Sequence, residues 1–152
     1  MSISVKRATL ENLNEVSELF NSYRVFYKQD SDLDLAVSFI TDRLNNKDSV
    51  IFYSYDDNGN ALGFTQLYPT FSSVSAKSSW VLNDLYVSNS ARRLGVGKKL
   101  MDTAKSFAIE TNSKGIALET CEDNLNAQAL YESLGYEKDV GVYNYFLSLQ
   151  KA

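Results

Sequence analysis

The sequence contains no histidine, one cysteine and one proline among its 152 residues. The absence of histidine removes the commonest general base and metal ligand, together with every Ser-His or Cys-His nucleophile arrangement. The single cysteine, Cys121, can form no internal disulfide and can build no zinc site, and we expect it to be a small buried apolar side chain. The sequence therefore predicts a protein without a metal and without a histidine-activated nucleophile.

Long apolar runs and excess positive charge are also missing. No run approaches the ~20 apolar residues of a membrane helix, and the N-terminus lacks the apolar segment of a signal peptide. Basic residues number 15 and acidic residues 19, which gives a formal net charge of −4. An acidic domain suits small cations such as amines better than nucleic acid, which requires a basic face. We therefore expect a soluble cytoplasmic protein with no nucleic-acid or membrane partner.

Hydrophobic periodicity predicts an alternation of strands and helices along the chain. The predicted strands cover residues 3–8, 49–55, 61–68, 78–87, 114–121 and 140–149. The predicted helices cover residues 10–27 and 34–46, a stretch that begins near Gly95, and residues 124–135. This order predicts one α/β (α+β) domain over residues 1–152, with a mixed sheet and helices on its faces.

The stretch Ser90–Met101 (SARRLGVGKKLM) concentrates four cations and two glycines, Gly95 and Gly97, at the predicted start of a helix. The N–H groups of a helix N-terminus lack intrahelical partners and carry partial positive charge, and glycine lets a phosphate approach them closely. The spacing matches neither a Walker loop nor GxGxxG, so a pyrophosphate with an extended arm is favoured. The alternative is an ordinary helix start with solvated cations, and the local pattern alone leaves both open.

Two motifs together resemble the GNAT superfamily of acyl-coenzyme A-dependent N-acetyltransferases. The segment Arg92–Gly97 (RRLGVG) is similar to its [QR]xxGx[GA] pyrophosphate loop, and Asp123–Tyr136 (DNLNAQALYESLGY) resembles its NxxAxxLYxxxGF/Y signature. The opening VKRATLENLNEV also resembles the first strand and helix of the family, so the similarity spans nearly the whole chain. It implies a mixed, mostly antiparallel central sheet, splayed between strands 4 and 5 and flanked by about four helices.

The resemblance implies acetyl-CoA as the cosubstrate, with no metal. The pantetheine arm would insert between the splayed strands and bond to the main chain of Leu85 and Val87, because unpaired strand backbone satisfies an amide-rich ligand. Tyr86, between them, is also assigned to cofactor binding. Asn124 would contact the pantetheine arm or the adenosine side. The pyrophosphate would be held by the loop residues Arg92, Arg93, Leu94, Gly95, Val96, Gly97 and Lys98.

The resemblance also assigns the proton donor to the leaving group. In this family the tyrosine of the LYxxxG segment, here Tyr131, protonates the departing coenzyme A thiolate. An uncharged phenol can donate a proton without repelling the developing anion. The alternative for Tyr131 is a helical tyrosine packed in the core.

The base that takes the proton of the amine is less well defined. Many relatives carry a glutamate on the fourth strand, where this sequence has Val81 and Asn83. Asp84, and Glu119 on the predicted fifth strand, are the remaining candidates. For both, a hydrogen-bonded strand carboxylate is the alternative.

The segment YRVFYKQDSDLD, which covers the end of the first predicted helix and the turn after it, offers aromatic and acidic groups suited to a cationic acceptor, although a solvated turn is the alternative. The predicted substrate-binding residues are Tyr23, Tyr27, Asp30 and Asn83. The segments FTQLYPTFSS and LNDLYV resemble a subgroup that acts on histone tails, polyamines or D-amino acids, with some bacterial members linked to aminoglycosides.

We therefore expect acetyl transfer to the primary amine of a small cationic molecule, a polyamine, an aminoglycoside or an amino acid. A protein lysine or N-terminal amine, or a catalytically silent acyl-CoA-binding domain, are the alternatives. The predicted last strand, residues 140–149, would offer an edge for a homodimer or be left to solvent.

Overall fold

The computed structural model describes residues 2–150. The chain divides into two compact units, an N-terminal unit Met1–Glu119 and a C-terminal unit Thr120–Ala152. The N-terminal unit contains the sheet and three of the helices, and the C-terminal unit contains one helix. The single acetyltransferase domain over residues 1–152 stays a prediction.

The fold class is confirmed as mixed α/β. The strands are β1 (Ser4–Arg7), β2 (Val50–Tyr55), β3 (Ala61–Ser72), β4 (Lys77–Val87) and β5 (Ile116–Ala117). The helices are α1 (Leu13–Phe26), α2 (Leu33–Asn46), α3 (Val96–Glu110) and α4 (Leu125–Ser133), and short 3₁₀ turns cover Leu10–Asn12 and Asn89–Ala91. The sheet order is β1-β2-β3-β4-β5, with β4 and β5 parallel and every other neighbouring pair antiparallel.

Helices α1 and α2 cover one face of the sheet. The start of α1 is fixed by a capping box in the preceding turn, where the Thr9 side chain accepts from the Glu11 N–H and the Asn12 side chain accepts from the Thr9 N–H. Phe20 of α1 is buried, and its ring contacts Phe39 of α2 at 5.1 Å and Phe64 of β3 at 6.3 Å. This aromatic contact joins both helices to the middle of the sheet.

Helix α3 covers the opposite face. Its buried residues, Val96, Leu100, Met101, Ala104 and Ala108, repeat at the helical spacing that the sequence indicates. The ring of Phe107 contacts Phe52 of β2 at 5.5 Å and Trp80 of β4 at 5.2 Å. The sheet of the N-terminal unit is therefore enclosed between α1 and α2 on one side and α3 on the other.

A β-bulge in β4 determines which face its polar residues occupy. The pairing with β3 passes from Gln66 opposite Asp84 to Leu67 opposite Leu82, so Asn83 is the extra residue. Residues an even number apart share a face of a regular strand, and one extra residue reverses that relation. Trp80 accordingly bonds to α3, through Thr111 at 3.0 Å, whereas the carboxylate of Asp84 faces α1.

Three expectations are wrong in detail. Strand β5 is only two residues long, so Glu119 lies beyond it and is exposed. Residues 140–149 form no strand. An extended segment becomes a strand only through a hydrogen-bonded ladder, and none of these residues takes part in one. Cys121 is exposed and not buried.

Candidate active site

Strand β4 has an unpaired edge over the half that leads into the glycine-rich loop. Within residues 2–119, strand pairing on the β5 side involves only Trp80 and Val81. The Val87 carbonyl points to this open side, where it accepts from Arg92 Nε at 3.2 Å. Because main-chain groups alternate between the two edges of a strand, those of Leu85 also face the open side. An amide-rich chain could add here as a further strand would.

The loop after β4 presents main-chain N–H groups at the start of α3. Gly95 is the N-cap residue with φ of +80°, and no side chain caps the helix. Arg93 also has a positive φ, of +67°. A Cβ atom at Gly95 would meet nothing within 4 Å, so the space beside it is open and the backbone conformation is what requires glycine. An uncapped, glycine-lined helix start fits a pyrophosphate.

The cationic side chains around this loop are held by neighbouring groups. The Arg92 guanidinium lies 5.5 Å from the ring centroid of Phe26 on α1. Lys98 pairs with Asp102 at 2.7 Å on the exposed side of α3, and Lys99 Nζ donates to the Ile3 carbonyl. An exposed pair of this kind contributes little energy. In this arrangement the main chain of the loop is the better-defined anion site.

A buried carboxylate lies where the β4 bulge turns toward α1. Asp84 is 2% exposed, and its Oδ2 accepts from Gln66 Nε2 at 2.5 Å while its Oδ1 accepts from Asn83 Nδ2 at 2.8 Å. Gln66 Oε1 in turn accepts from Ser49 Oγ at 2.9 Å. Burial raises the pKa of Asp84, and the hydrogen bonds from Asn83, Gln66 and Tyr23 oppose that rise only in part. The carboxylate therefore holds a proton more readily than an exposed aspartate.

Two tyrosines of this face are biased toward their neutral form. Burial, followed by the negative charge of Asp84, raises the pKa of Tyr23 far above its ordinary value. The same two causes raise the pKa of Tyr68 to about 12. The Tyr23 hydroxyl donates to the Asn83 carbonyl at 3.4 Å. Both phenols are consequently proton-bearing groups at neutral pH. The Tyr23 ring also contacts that of Tyr27 at 5.1 Å.

A cavity of about 520 Å³ opens on the same side of the N-terminal unit. Its volume falls in the range of small-molecule sites. The ring of Tyr86 forms part of its wall and contacts Tyr23 at 6.3 Å, which connects the cavity to the phenol beside Asp84. The lining residues are Asn21, Ser22, Val25, Phe26, Ser31, Tyr86, Asn89 and Arg92.

Other predicted residues of the N-terminal unit are less closely associated with Asp84 and its hydrogen-bonding neighbours. Asp30 is exposed in the loop between α1 and α2, next to the cavity residue Ser31. Asp32 of the same loop caps α2, because its Oδ1 accepts from the Leu35 N–H at 3.1 Å. The structure thus brings Tyr23, Tyr27, Asn83 and Asp84 together on one face and leaves Glu119 exposed past β5.

The C-terminal unit contains two of the predicted site residues. Asn124 is the N-cap residue of α4, and its side-chain oxygen accepts from the Ala127 N–H at 3.2 Å. Tyr131 is half-buried on α4, and its ring lies 6.1 Å from that of Tyr136. Burial raises the pKa of the Tyr136 phenol. The motif residues are thus ordered by the helix cap and by their ring contact.

Gln66 and Ser49 are site residues that sequence reasoning missed. Both are buried polar side chains, and together with Asp84 they form one hydrogen-bonded chain. The signal was present, because Gln66 is the one amide side chain within the apolar stretch ALGFTQLY of β3. A buried polar group at such a position requires a hydrogen-bonding partner.

Across residues 2–150, no three histidine, cysteine, aspartate or glutamate side chains lie close enough to hold a metal ion. In the same range, none of the helices has the length and apolar character required to cross a bilayer. A cytoplasmic location stays a prediction.

An open strand edge followed by an uncapped helix start can hold an amide-rich arm and a pyrophosphate, which are the two parts of an acyl-CoA next to each other. The model of the acetyltransferase (GNAT) family matches residues 13–136. The chain belongs to this family, and it is an N-acetyltransferase of the kind that uses acetyl-CoA as its cosubstrate.

Individual relatives agree with this assignment. The chain is 44% identical to the "Uncharacterized N-acetyltransferase YhfO" of Bacillus subtilis (strain 168), over 97% of this chain and 98% of the relative. It is 33% identical to the D-amino-acid N-acetyltransferase HPA3 of Saccharomyces cerevisiae, over 57% of this chain and 54% of the yeast protein. A crystal structure of a probable acetyltransferase superposes with a TM-score of 0.93 at 41% identity, covering 98% of this chain and 99% of that one.

Proposed function

We propose that the protein transfers the acetyl group of acetyl-CoA directly to the primary amine of a small cationic molecule, in a ternary complex. The observation that carries the proposal is the buried carboxylate of Asp84, whose pKa is raised, beside the phenol of Tyr23. An alkylamine with a pKa of ~10.4 is only about 0.04% neutral at pH 7, which costs roughly 4.6 kcal/mol before attack. A base with raised proton affinity in contact with the acceptor lowers that cost.

The proposed reaction moves three protons, two from the amine nitrogen and one to the leaving thiolate. Asp84 accepts one proton from the ammonium group, directly or through water, and the neutral nitrogen attacks the carbonyl carbon of the thioester. The carbon–sulfur bond breaks as the carbon–nitrogen bond is completed, and the departing thiolate takes a proton from Tyr131. The excess proton on the new amide nitrogen leaves to solvent, Asp84 releases its proton to solvent and Tyr131 regains one, so that one proton is released in each turnover. The phenol of Tyr23 stays neutral because its pKa is raised, and Gln66 and Asn83 keep the carboxylate hydrogen-bonded between turnovers.

The cosubstrate is proposed to lie along the open edge of β4. The main chain of Leu85 and Val87 would bond its pantetheine arm, and the N–H groups from Arg93 to Lys98 would hold the pyrophosphate. The uncapped start of α3 and the positive φ of Gly95 support this placement. Because main-chain groups alternate along β4, those of Tyr86 face β3, so Tyr86 would contribute its ring, which lines the cavity. The role of Asn124 belongs to the same proposal.

Three features support a small cationic acceptor. The cavity of about 520 Å³ is of a size suited to a small molecule. The rings of Tyr23 and Tyr27 are close enough together to face one ammonium group, and the exposed Asp30 directly precedes the cavity residue Ser31 in the chain. The net charge of −4 favours the approach of cations. The similarity to a yeast D-amino-acid N-acetyltransferase supports including amino acids with polyamines and aminoglycosides.

The test is an acceptor screen with purified protein and acetyl-CoA. The panel contains spermidine, an aminoglycoside, D- and L-amino acids, and a basic peptide with a free N-terminus and internal lysines. Acetylated product is quantified by mass spectrometry, because the exposed thiol of Cys121 would consume a thiol-reactive reporter. We expect at least one small amine to exceed the peptide in kcat/KM by about tenfold or more, the discrimination available to a well-shaped site. Preference for the peptide would contradict the acceptor class, and tight acetyl-CoA binding without turnover of any amine would contradict the catalytic roles.

A further inference from the structure

The side-chain amide of Gln66 has one hydrogen-bonding orientation that fits an ionised Asp84. Its Nε2 donates to Asp84 Oδ2 at 2.5 Å, and its Oε1 accepts from Ser49 Oγ at 2.9 Å. A carboxylate only accepts, so the amide N–H must face Asp84 and the amide oxygen must face the serine hydroxyl, which then donates. Gln66 is fully buried, and Ser49 is 7% exposed. The hydrogen bonds therefore run in one direction, from Ser49 toward the carboxylate.

The two oxygens of Asp84 have different surroundings. Oδ2 accepts from Gln66, which lies on β3, in the sheet between β2 and β4. Oδ1 accepts at 2.8 Å from the side chain of Asn83, which is an exposed residue. A carboxylate oxygen has capacity for more than one hydrogen bond. Oδ1 is therefore the oxygen that a bound amine can reach.

We propose that Gln66, supported by Ser49, is the positioning residue of the base: it holds Oδ2 of Asp84 and presents Oδ1, in the carboxylate form, to the ammonium group. This inference rests on the proposed role of Asp84 in acetyl transfer. Burial favours the neutral acid, and a donor on the carboxylate opposes that effect. Ser49 contributes because a hydroxyl that donates to the amide oxygen polarises the amide and strengthens its N–H donor.

Two phenols and one ion pair are the titratable groups around Asp84 on the neighbouring elements. Tyr23 of α1 and Tyr68 of β3 both interact with the charge of Asp84, and their raised pKa values keep both phenols neutral. Arg43 of α2 and Asp48 form an ion pair at 2.8 Å, and their charges act on Tyr68 with opposite sign. The amide of Gln66 is a fully buried donor, so its hydrogen bond to Asp84 is not shared with water.

The protonation of Asp84 can be followed by NMR of its isotope-labelled carboxyl carbon, which requires no acetyl transfer. Gln66→Met keeps a straight side chain and removes the donor. We expect it to raise the titration midpoint of Asp84 by about one to two pH units, the size of a hydrogen bond to a charged group. Ser49→Ala should raise the midpoint by less, because the amide remains. The matched control is Ser54→Ala, which should leave the midpoint unchanged, because this fully buried serine of β2 has no hydrogen-bond partner among residues 2–150.

Steady-state kinetics then connects the midpoint to the reaction. The rise of kcat/KM with pH should be displaced upward in Gln66→Met and Ser49→Ala in the same order, whereas a merely structural role would lower the rate without displacing the profile. In the wild type, the side-chain amide protons of Gln66 should titrate with the midpoint of Asp84, and this measurement requires no variant to fold.

An Asp84 midpoint that is unaltered in Gln66→Met would overturn the proposal. Gln66 amide signals that do not follow Asp84 in the wild type would also overturn it. A midpoint that is displaced in the NMR titration but not in kcat/KM would show that Asp84 is not the base. In that case the proposed function would fail, while the effect of Gln66 on Asp84 stood.

Discussion

Replacement of Asp84 by asparagine separates the chemical role of its carboxylate from its structural one. The side chain is isosteric, and the site can adapt to it, because Gln66 and Ser49 can reverse their hydrogen bonds by rotating a carboxamide and a hydroxyl. The Asn83 amide can still donate to the remaining side-chain oxygen. The main loss is therefore the proton acceptor and not the packing of the bulge.

The magnitude follows from the proton that must be removed. A positioned general base contributes about 10²- to 10⁴-fold in rate, so kcat/KM for the amine should fall by that factor in Asp84→Asn. The affinity for acetyl-CoA should be retained, since the proposed cosubstrate contacts use main chain at Leu85 and Val87. The kcat/KM of the parent enzyme should rise with pH through the raised pKa of Asp84, because only the carboxylate accepts the ammonium proton. The variant depends on amine that is already neutral, so it should lose that rise and gain rate only as pH approaches the pKa of the amine.

The assay is steady-state kinetics from pH 5 to pH 9 with the acceptor found in the screen, together with calorimetric titration of acetyl-CoA. The matched control is Asp42→Asn, an aspartate exposed on α2, which should behave as the parent does. Parent-like rates and an unchanged pH profile in Asp84→Asn would refute the assignment of the base. A parallel loss of acetyl-CoA affinity would instead indicate a disrupted bulge.

Asp84→Asn should also change how the free energy of unfolding depends on pH, and the burial of Asp84 fixes the direction of that change. Because the pKa of Asp84 is raised on folding, the native state binds the proton more tightly than the unfolded chain. The contribution of this group to stability therefore falls as pH rises from the unfolded value of about 3.9 through the native pKa, and it stays unfavourable above that. Urea unfolding at pH 4 and pH 8 should show Asp84→Asn gaining stability relative to the parent at the higher pH. A difference that does not change with pH would contradict this.

The remaining predictions concern the leaving group, the loop and the sheet. Tyr131→Phe should lower kcat by about 10²- to 10⁴-fold with acetyl-CoA affinity retained. The control is Tyr136→Phe, at a motif position where phenylalanine is usual, which should keep activity. Equal rates for the two variants would remove Tyr131 from the mechanism. Gly95→Val forces a β-branched residue to a φ of +80° and should weaken acetyl-CoA binding in calorimetry, and unchanged affinity would show the loop to be misassigned. Gly63→Ala places a Cβ atom 2.6 Å from the Tyr86 carbonyl oxygen. It should destabilise the protein by about 1–3 kcal/mol in urea unfolding, and an unaltered midpoint would show that β3 and β4 can separate there.

Hydrophobic periodicity and the positions of glycines and turn residues in the sequence account for most of the fold. The apolar stripe of α3 and the glycines before it were readable because helix spacing and positive-φ positions are local properties. The β2–β3 hairpin was readable from two β-rich segments flanking the turn DDNGN. The family motifs then placed the loop and Tyr131 in relation to each other along the chain.

Residues 140–149 and the fifth strand were predicted less well, because strand formation is not a local property. A β-rich sequence such as residues 140–149 becomes a strand only where an edge is available to pair with it, and its own alternation cannot supply that edge. The same limit applies to β5, which pairs with β4 over two residues although the sequence indicated eight. Glu119 was assigned to the site on the strength of that longer strand.

The proposed base, Asp84, shows why the sequence of one strand alone is insufficient to predict this site. Regular alternation along β4 would put Asp84 on the same face as Trp80, against the apolar stripe of α3, where a carboxylate would have no suitable partner. The extra residue Asn83 turns Asp84 to the α1 face, where Gln66 opposes it across the ladder and Tyr23 lies above it. A bulge is a property of the register between two strands, so only β3 and β4 together reveal it. Asn83 is thus the residue that turns a neighbouring carboxylate toward α1, the face on which we propose that the acceptor binds.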